Sequence, residues 1–291
     1  LPISSTKEKA VAFIKLIRPH QWTKNLVVFA ALIFAEELTN LTMVVTAFKA
    51  FLAFCILAGS IYTFNDIVDR EQDSMHPFKV RRPVASGIIS PKEATVFGVF
   101  LSILAITSGF FINNLFGILL CLYLFFQIAY SFYFKNQVII DVLLVSFGFV
   151  LRAIGGAVAI KVFISPWLII CTFLLALFLA LSKRKYEYGS DLFKHRKVLV
   201  YYNDELLDQM IAISTSSVLV SYILYTFTSG KPVALMYTIP FVIYGIFRYI
   251  YLVYKENEGG RPAIHLLTDL PLQINLLLWI GVVIFIFYFH R

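Results

Sequence analysis

Apolar residues in this chain run in long blocks broken by short polar stretches, at about 24–36, 43–64, 94–112, 114–134, 139–160, 165–182, 208–228, 233–254 and 271–289. A helix rising 1.5 Å per residue needs about 20 apolar residues to cross a hydrocarbon layer of about 30 Å. The pattern therefore predicts an all-α polytopic membrane protein, a nine-transmembrane-helix bundle. Barrel strands would instead read as segments of about 10 residues with alternating polarity. The first block is the shortest. Residues 1–22 ahead of it interleave Val11, Phe13, Ile14 and Ile17 with Lys7, Lys9, Lys15 and Arg18. This predicts a basic interfacial segment lying in the headgroup layer. It has no uninterrupted apolar core and no small-residue cleavage site, so a signal peptide is not expected.

Composition agrees with a membrane solvent. Of 291 residues, 59% are hydrophobic and only 14% charged, whereas a soluble domain carries roughly a quarter charged residues. On the predicted map most of the 25 Lys and Arg fall on one side, leaving Lys161, Lys231 and Arg291 on the other. The rich side is expected to face the cytoplasm, placing the chain in the plasma membrane as a multi-pass protein. The net charge of +8 then points to anionic lipid heads and anionic ligands, with no nucleic acid partner. Cys55, Cys121 and Cys171 sit inside apolar blocks and the five His are scattered, so neither a disulfide framework nor a zinc site is expected.

The outward connections are short, whereas the inward ones, at roughly 65–93, 183–207 and 255–270, are long enough to carry function. Together with the spans they predict one domain over 1–291 with a cytoplasmic-side cavity. An echo between 78-FKVRRPV-84 and 193-FKHRKVL-199 is compatible with two pseudo-repeated halves, about 24–134 and 139–289, and equally with coincidence in basic loops. Self-association into a homo-oligomer is left open.

The first long loop starts 64-FNDIVDREQDSMHPFKVRRP-83. Asp66, Asp69 and Asp73 are spaced i, i+3, i+7, which on one continuous helix puts all three carboxylates on a single face. Three like charges at the negative end of a helix call for a cation between them. Mg²⁺ suits, since it takes one or two carboxylates and completes its octahedron with water and phosphate oxygens. Lys79, Arg81 and Arg82 follow, and arginine grips phosphate through paired donors. Acid, metal and base in that order suggest a pyrophosphate site; the plainer alternative is a solvated loop with incidental ion pairs.

Asn65-Asp66-x-x-Asp69-x-x-x-Asp73 resembles the first aspartate-rich motif of the UbiA superfamily of intramembrane prenyltransferases. The likeness extends through 79-KVRRPVASGIIS-90, 130-YSFYFKNQVIIDV-142 and Arg152-x-x-Gly155-Gly156. It implies nine helices around a cytoplasmic-side Mg-pyrophosphate site. A second set of segments, 18-RPHQWTKN-25, 182-SKRKYE-187 and 259-GGRPAIHLLTDLP-271, is similar to the decaprenyl-phosphate phosphoribosyltransferase branch. That branch moves phosphoribose from phosphoribosyl pyrophosphate to a polyprenyl phosphate. The second aspartate-rich motif of the prenyl-transferring branches is replaced by Lys183, Arg184 and Lys185 ahead of Glu187 and Asp191. More base in place of acid suits substrates with more phosphate; Glu187 and Asp191 could still furnish a reduced second metal site.

The resemblance implies Asp66, Asp69 and Asp73 as catalytic metal ligands oriented by Asn65, with Lys79, Arg82, Lys183, Arg184 and Glu187 around the donor phosphates. Arg152, about 16 Å into the bundle from Asp141 by helical rise, must face a polar cavity or a partner. Lys24, Tyr130 and Lys135 are further candidates for substrate contact, each with an ordinary reading as an interfacial anchor. Arg248 reads as snorkelling, and Thr268 or Asp269 before Pro271 as a helix N-cap. Two other functions compete: a prenyltransferase joining an allylic diphosphate to an aromatic or quinone-precursor acceptor, and a transporter of phosphorylated lipids, which the short outward connections disfavour.

Overall fold

The computed structural model describes residues 6–75, 79–189, 197–255 and 268–289. Asp191, most of the second echo segment and residues 259–267 lie outside the described residues. The first helix, α1 (Thr6–Ile17), leads into a 3-10 segment, Pro19–Phe29, and a short α2 (Ala30–Phe34). Then come α3 (Leu41–Val68), α4 (Arg70–Ser74), α5 (Pro91–Ile112), α6 (Asn114–Phe132), α7 (Ile140–Ile160) and α8 (Pro166–Tyr188). After a 3-10 turn at Lys197–Tyr201 follow α9 (Asp204–Thr228), a 3-10 turn at Val233–Thr238, α10 (Ile239–Lys255) and α11 (Leu270–Phe289).

Among the described residues, eight helical stretches are long and apolar enough to cross a membrane. The ninth expected span, 24–36, is the exception. Its place is taken by the 11-residue 3-10 segment and the five-residue α2. Runs of 3-10 helix beyond three or four residues are uncommon, and side chains at i and i+3 eclipse one another in them. The segment therefore presents three separate rows. Trp22, Asn25 and Val28 form one, with Asn25 and Val28 buried against the bundle. Thr23, Leu26 and Phe29 form the second, with Leu26 exposed on the lipid-facing side. Lys24, Val27 and Ala30 form the third, and Val27 and Ala30 line a large cavity.

Helix α7 is the centre of the bundle. In its most apolar stretch 61% of residues are buried, against 22–39% in the other seven. One apolar core joins α3, α5, α6 and α7 around Phe54, Phe116, Leu120 and Tyr123. A second joins α7 to α8, α9 and α10 around Phe178, Leu181, Leu207 and Tyr249. Gly156 lets the 3-10 segment close onto α7, because a Cβ there would lie 2.0 Å from the carbonyl oxygen of Val28. Within the first core, Ser60 Oγ bonds to Gly98 O at 2.8 Å and to Ser102 Oγ at 2.6 Å, joining α3 to α5. Such small polar residues allow close helix approach where no hydrophobic gradient drives packing. A capping box starts α5, with Ser90 and Glu93 bonded to each other's backbone N–H and Pro91 in the first turn. Lys9 then ties α1 to Glu93 at 2.9 Å.

Candidate functional site

Helix α3 ends at Val68, and Asp69 sits in the bridge region at φ −88°, ψ 6° before α4 begins. That break changes the geometry expected for a continuous helix. Asp66 and Asp73 are both only 2% exposed and converge on one guanidinium. Arg82 Nη1 lies 3.3 Å from Asp66 Oδ1 and is also bonded to Asp73 Oδ2. Asp69, turned aside by the break, is 29% exposed and bound by Lys135 Nζ at 2.8 Å. The expected three-carboxylate face is thus a buried pair and an outlier.

Arg18 completes the buried pair's surroundings. It is bonded to Asp66 and lies 5.1 Å from the centroid of the Tyr62 ring. Its φ of 48° is left-handed, a conformation that non-glycine residues rarely adopt. The turn after α1 is strained in the way that delivers this guanidinium to the carboxylates. Lys79 Nζ approaches Asp73 at 3.9 Å from the more exposed side. Asn65 accepts a 2.7 Å hydrogen bond from Ser131 Oγ, which fixes the amide beside the first aspartate.

A second polar centre lies across Tyr130 and Ser131. Asp141, fully buried, accepts from Arg184 Nε at 2.8 Å and from the Tyr202 hydroxyl at 3.1 Å. Arg184 also holds Glu187 at 2.8 Å, and Lys183 lies 3.7 Å from the same carboxylate. Tyr130 is an electrostatic neighbour of Arg184. Burial pushes the Tyr202 phenol up to about 12, so at neutral pH it stays protonated and donates to Asp141. The same oxygen accepts the Ile139 N–H at 2.8 Å. Ile139 has φ 68° and ψ −48° in a turn closed by Ile140 N to Val138 O at 2.7 Å. This is the rare positive-φ γ-turn, unusual for a β-branched residue. Tyr202 holds the strained turn that starts α7 and places Asp141.

Arg152 is spoken for by neutral partners. Its guanidinium donates to Asn25 Oδ1 at 2.8 Å, to Gly148 O at 3.1 Å and to the Tyr123 hydroxyl, and it lies over the rings of Phe149 and Tyr123. Lys24, in contrast, has no hydrogen bond or ion pair among the described residues, and its charged neighbours are Arg152 and Arg18. A partly buried ammonium beside two guanidinium groups is an anion site in waiting. It heads the row that continues through Val27 and Ala30 into a cavity of about 800 Å³, large for a small-molecule site. This cavity lies between the 3-10 segment, α2, α8, α9, α10 and α11, and its wall is mostly apolar. Arg248, read from sequence as snorkelling, is paired with Asp269 through two bonds, at 3.2 and 2.6 Å. Asp269 also caps α11 through Leu272 N at 2.9 Å.

Residues 25–268 match the UbiA prenyltransferase family. The chain belongs to that family. Among curated UbiA-family relatives, the decaprenyl-phosphate phosphoribosyltransferase of Mycolicibacterium smegmatis is 32% identical over 95% of this chain and 92% of its own length. The protein of the same name from Corynebacterium glutamicum is also 32% identical, over 97% and 88%. The fold is shared with a UbiA homolog from Archaeoglobus fulgidus solved with GPP and Mg²⁺, at a TM-score of 0.74 and 18% identity over 94% of this chain and 98% of that one. This chain is thus a UbiA-family membrane transferase.

Among the described residues no three His, Cys, Asp or Glu side chains gather closely enough to ligate one metal ion. The donor set nevertheless fits Mg²⁺ of the kind that keeps several waters. Asp66 and Asp73 already converge on one cationic group, the Arg82 guanidinium, and Mg²⁺ needs only one or two carboxylates when phosphate supplies further oxygens. Sequence reasoning passed over Arg18, Asn25, Asp141 and Tyr202. Arg18 and Asn25 stand at the two ends of 18-RPHQWTKN-25, and Asp141 is a lone acid at the head of an apolar span. Tyr202 carries no signal of its own, since its role comes from a turn closed in three dimensions.

Proposed function

We propose that this protein transfers 5-phosphoribosyl from phosphoribosyl pyrophosphate to a polyprenyl phosphate and releases pyrophosphate, with Mg²⁺ as cofactor. The observation that carries the reading is Lys24: an ammonium not engaged by the carboxylates, placed where a polar centre meets an apolar cavity. It calls for a second anion joined to a hydrophobic tail, beyond the diphosphate that the aspartates and their arginines serve. The relatives named for this activity at 32% identity support the choice, as does the cationic Lys183, Arg184 and Lys185 run.

In this reading Asp66 and Asp73 hold the metal, Arg82 and Arg18 move from these carboxylates onto donor oxygens, and Lys79 binds the outer phosphate. Lys135 and Asp69 close the rim beside Tyr130, and Arg184, fixed by Asp141 and Glu187, takes the 5-phosphate with Lys183. Bound Mg²⁺ would offset the negative charge that grows on the departing pyrophosphate. The ribose C1–O bond to pyrophosphate breaks and a lipid phosphate oxygen, held by Lys24, bonds to C1. Arg18 and Arg82 stabilise the leaving group by preorganised charge. The acceptor oxygen is already anionic, so no side chain has to remove a proton from it. Arg152 positions Asn25 and the 3-10 segment from below. The end rich in Lys and Arg faces the cytoplasm, following the positive-inside rule.

One other reading has an observation in its favour. The aspartate pair and apolar cavity would serve an allylic diphosphate and an aromatic acceptor equally well. Purified protein offered labelled phosphoribosyl pyrophosphate with polyprenyl phosphate, and separately an allylic diphosphate with an aromatic acid, separates the two. Labelled phosphoribosyl lipid in the first reaction is expected; product only in the second would reject the phosphoribosyl reading.

A further inference from the structure

The apolar cavity has a charged end far from the aspartates. Along α8 its wall extends from Leu179 to Trp167, twelve residues or about 18 Å by helical rise. Near Trp167 the lining includes Lys231, whose Nζ is held by Glu36 Oε1 at 2.7 Å and lies 5.5 Å from the centroid of the Phe287 ring. The pair joins the turn after α2 to the turn between α9 and the following 3-10 helix. The same α2–α3 connection is tied to α11 by Leu38 N donating to the Tyr288 hydroxyl at 2.8 Å.

The backbone at Glu36 is an independent sign. Helix α2 closes with Glu36 N bonded to Ile33 O at 3.1 Å and Glu37 N to Leu32 O at 3.1 Å, with φ 62° at Glu36. This is the Schellman arrangement, whose left-handed position is ordinarily glycine. A side chain there costs about 1–2 kcal/mol, and this chain keeps a carboxylate at that cost where it meets Lys231. The Tyr225 hydroxyl, buried and without a hydrogen-bond partner among the described residues, also lines this cavity and has Glu36 among its electrostatic neighbours.

We propose that the Glu36–Lys231 ion pair is the end stop of the lipid-tail channel and sets the longest isoprenoid chain that the enclosed channel favours. This rests on the polyprenyl-phosphate acceptor read from Lys24 and its row. The occupant is the acceptor's tail, because the Lys24, Val27, Ala30 row makes the cavity continuous with the phosphate-binding head. A growing apolar tail gains by burial until it meets the pair. Separating the pair to pass would strip two charges of each other in an apolar wall.

The test reads binding, so it does not depend on the donor. Trp167 and Trp279 line the cavity and are two of the three tryptophans in the chain, so intrinsic fluorescence reports its filling. Polyprenyl phosphates of increasing length are titrated into the wild type and the Glu36→Gly/Lys231→Leu double variant, in which glycine suits the left-handed turn. Wild-type affinity should rise with length and then level off. In the double variant the plateau should move to longer lipids, with the longest bound about tenfold more tightly and the shortest unchanged. Should the double variant not fold, Glu36→Gln replaces it, with the same shift expected. The charge-exchanged Glu36→Lys/Lys231→Glu protein should keep the wild-type profile. Identical length profiles in wild type and either pair-breaking variant would overturn the end stop, as would absence of lipid binding to the wild type. A shifted plateau in a protein that shows no phosphoribosyl transfer would uphold the stop while rejecting the donor.

Discussion

Lys24→Met should move stability and activity in opposite directions. Lys24 makes no hydrogen bond or ion pair among the described residues and has Arg152 and Arg18 as charged neighbours. Its ammonium is therefore a cost to the free protein. Methionine keeps the length and apolar stem of lysine and removes the like-charge repulsion, so the fold should gain up to about 1 kcal/mol, at the low end of what replacing buried charges by apolar groups yields. For a chain of this size that is a rise in Tm of about 2–4 °C. The lipid phosphate loses a charge-assisted hydrogen bond worth about 1.5–3 kcal/mol, which converts to a loss of about 10- to 150-fold in acceptor affinity. The contact exists both before and during bond transfer, so the acceptor KM should rise with kcat little changed, and the donor KM should not move. Steady-state kinetics with each substrate varied, alongside thermal unfolding in detergent, provide the readouts. A lowered Tm with both KM values intact would show that Lys24 is a structural anchor and refute the reasoning.

Three further outcomes follow from the geometry. Asp66→Asn leaves Arg82 paired with Asp73 but removes the charge at the buried convergence point, and should cut turnover by about 100-fold or more with the helical circular dichroism unchanged. Gly156→Ala places a methyl against the Val28 carbonyl, whose oxygen would be 2.0 Å away; backbone cannot yield as a side chain would, and a loss of about 3 kcal/mol in unfolding free energy is expected. Tyr202→Phe strips Ile139 N–H of its acceptor and Asp141 of one donor. It should cost about 1–3 kcal/mol of stability and raise the donor KM more than the acceptor KM.

Much of the bundle was legible because a bilayer leaves few options for a long apolar block. The expected 94–112 and 139–160 became α5, Pro91–Ile112, and α7, Ile140–Ile160. The 24–36 block was misread because its apolar content was judged without its winding. A 3-10 segment spreads the same residues over three rows, one each for core, lipid and cavity, which periodicity at 3.6 residues does not separate. The aspartate motif was legible as a cation-binding pattern, yet the single face expected of Asp66, Asp69 and Asp73 assumed an unbroken helix. The break at Asp69 sends that carboxylate to Lys135. Arg152, expected to face a polar cavity or a partner, found partners in Asn25, Gly148 and Tyr123, contacts between distant segments that spacing along one helix cannot reveal.

The most direct test of the central claim is calorimetric titration of phosphoribosyl pyrophosphate into the purified protein with and without Mg²⁺, in wild type and Asp66→Asn. The account predicts saturable binding to the wild type that depends on Mg²⁺ and disappears with the aspartate. Binding of equal strength in all four conditions, or none to the wild type with Mg²⁺ present, would contradict it.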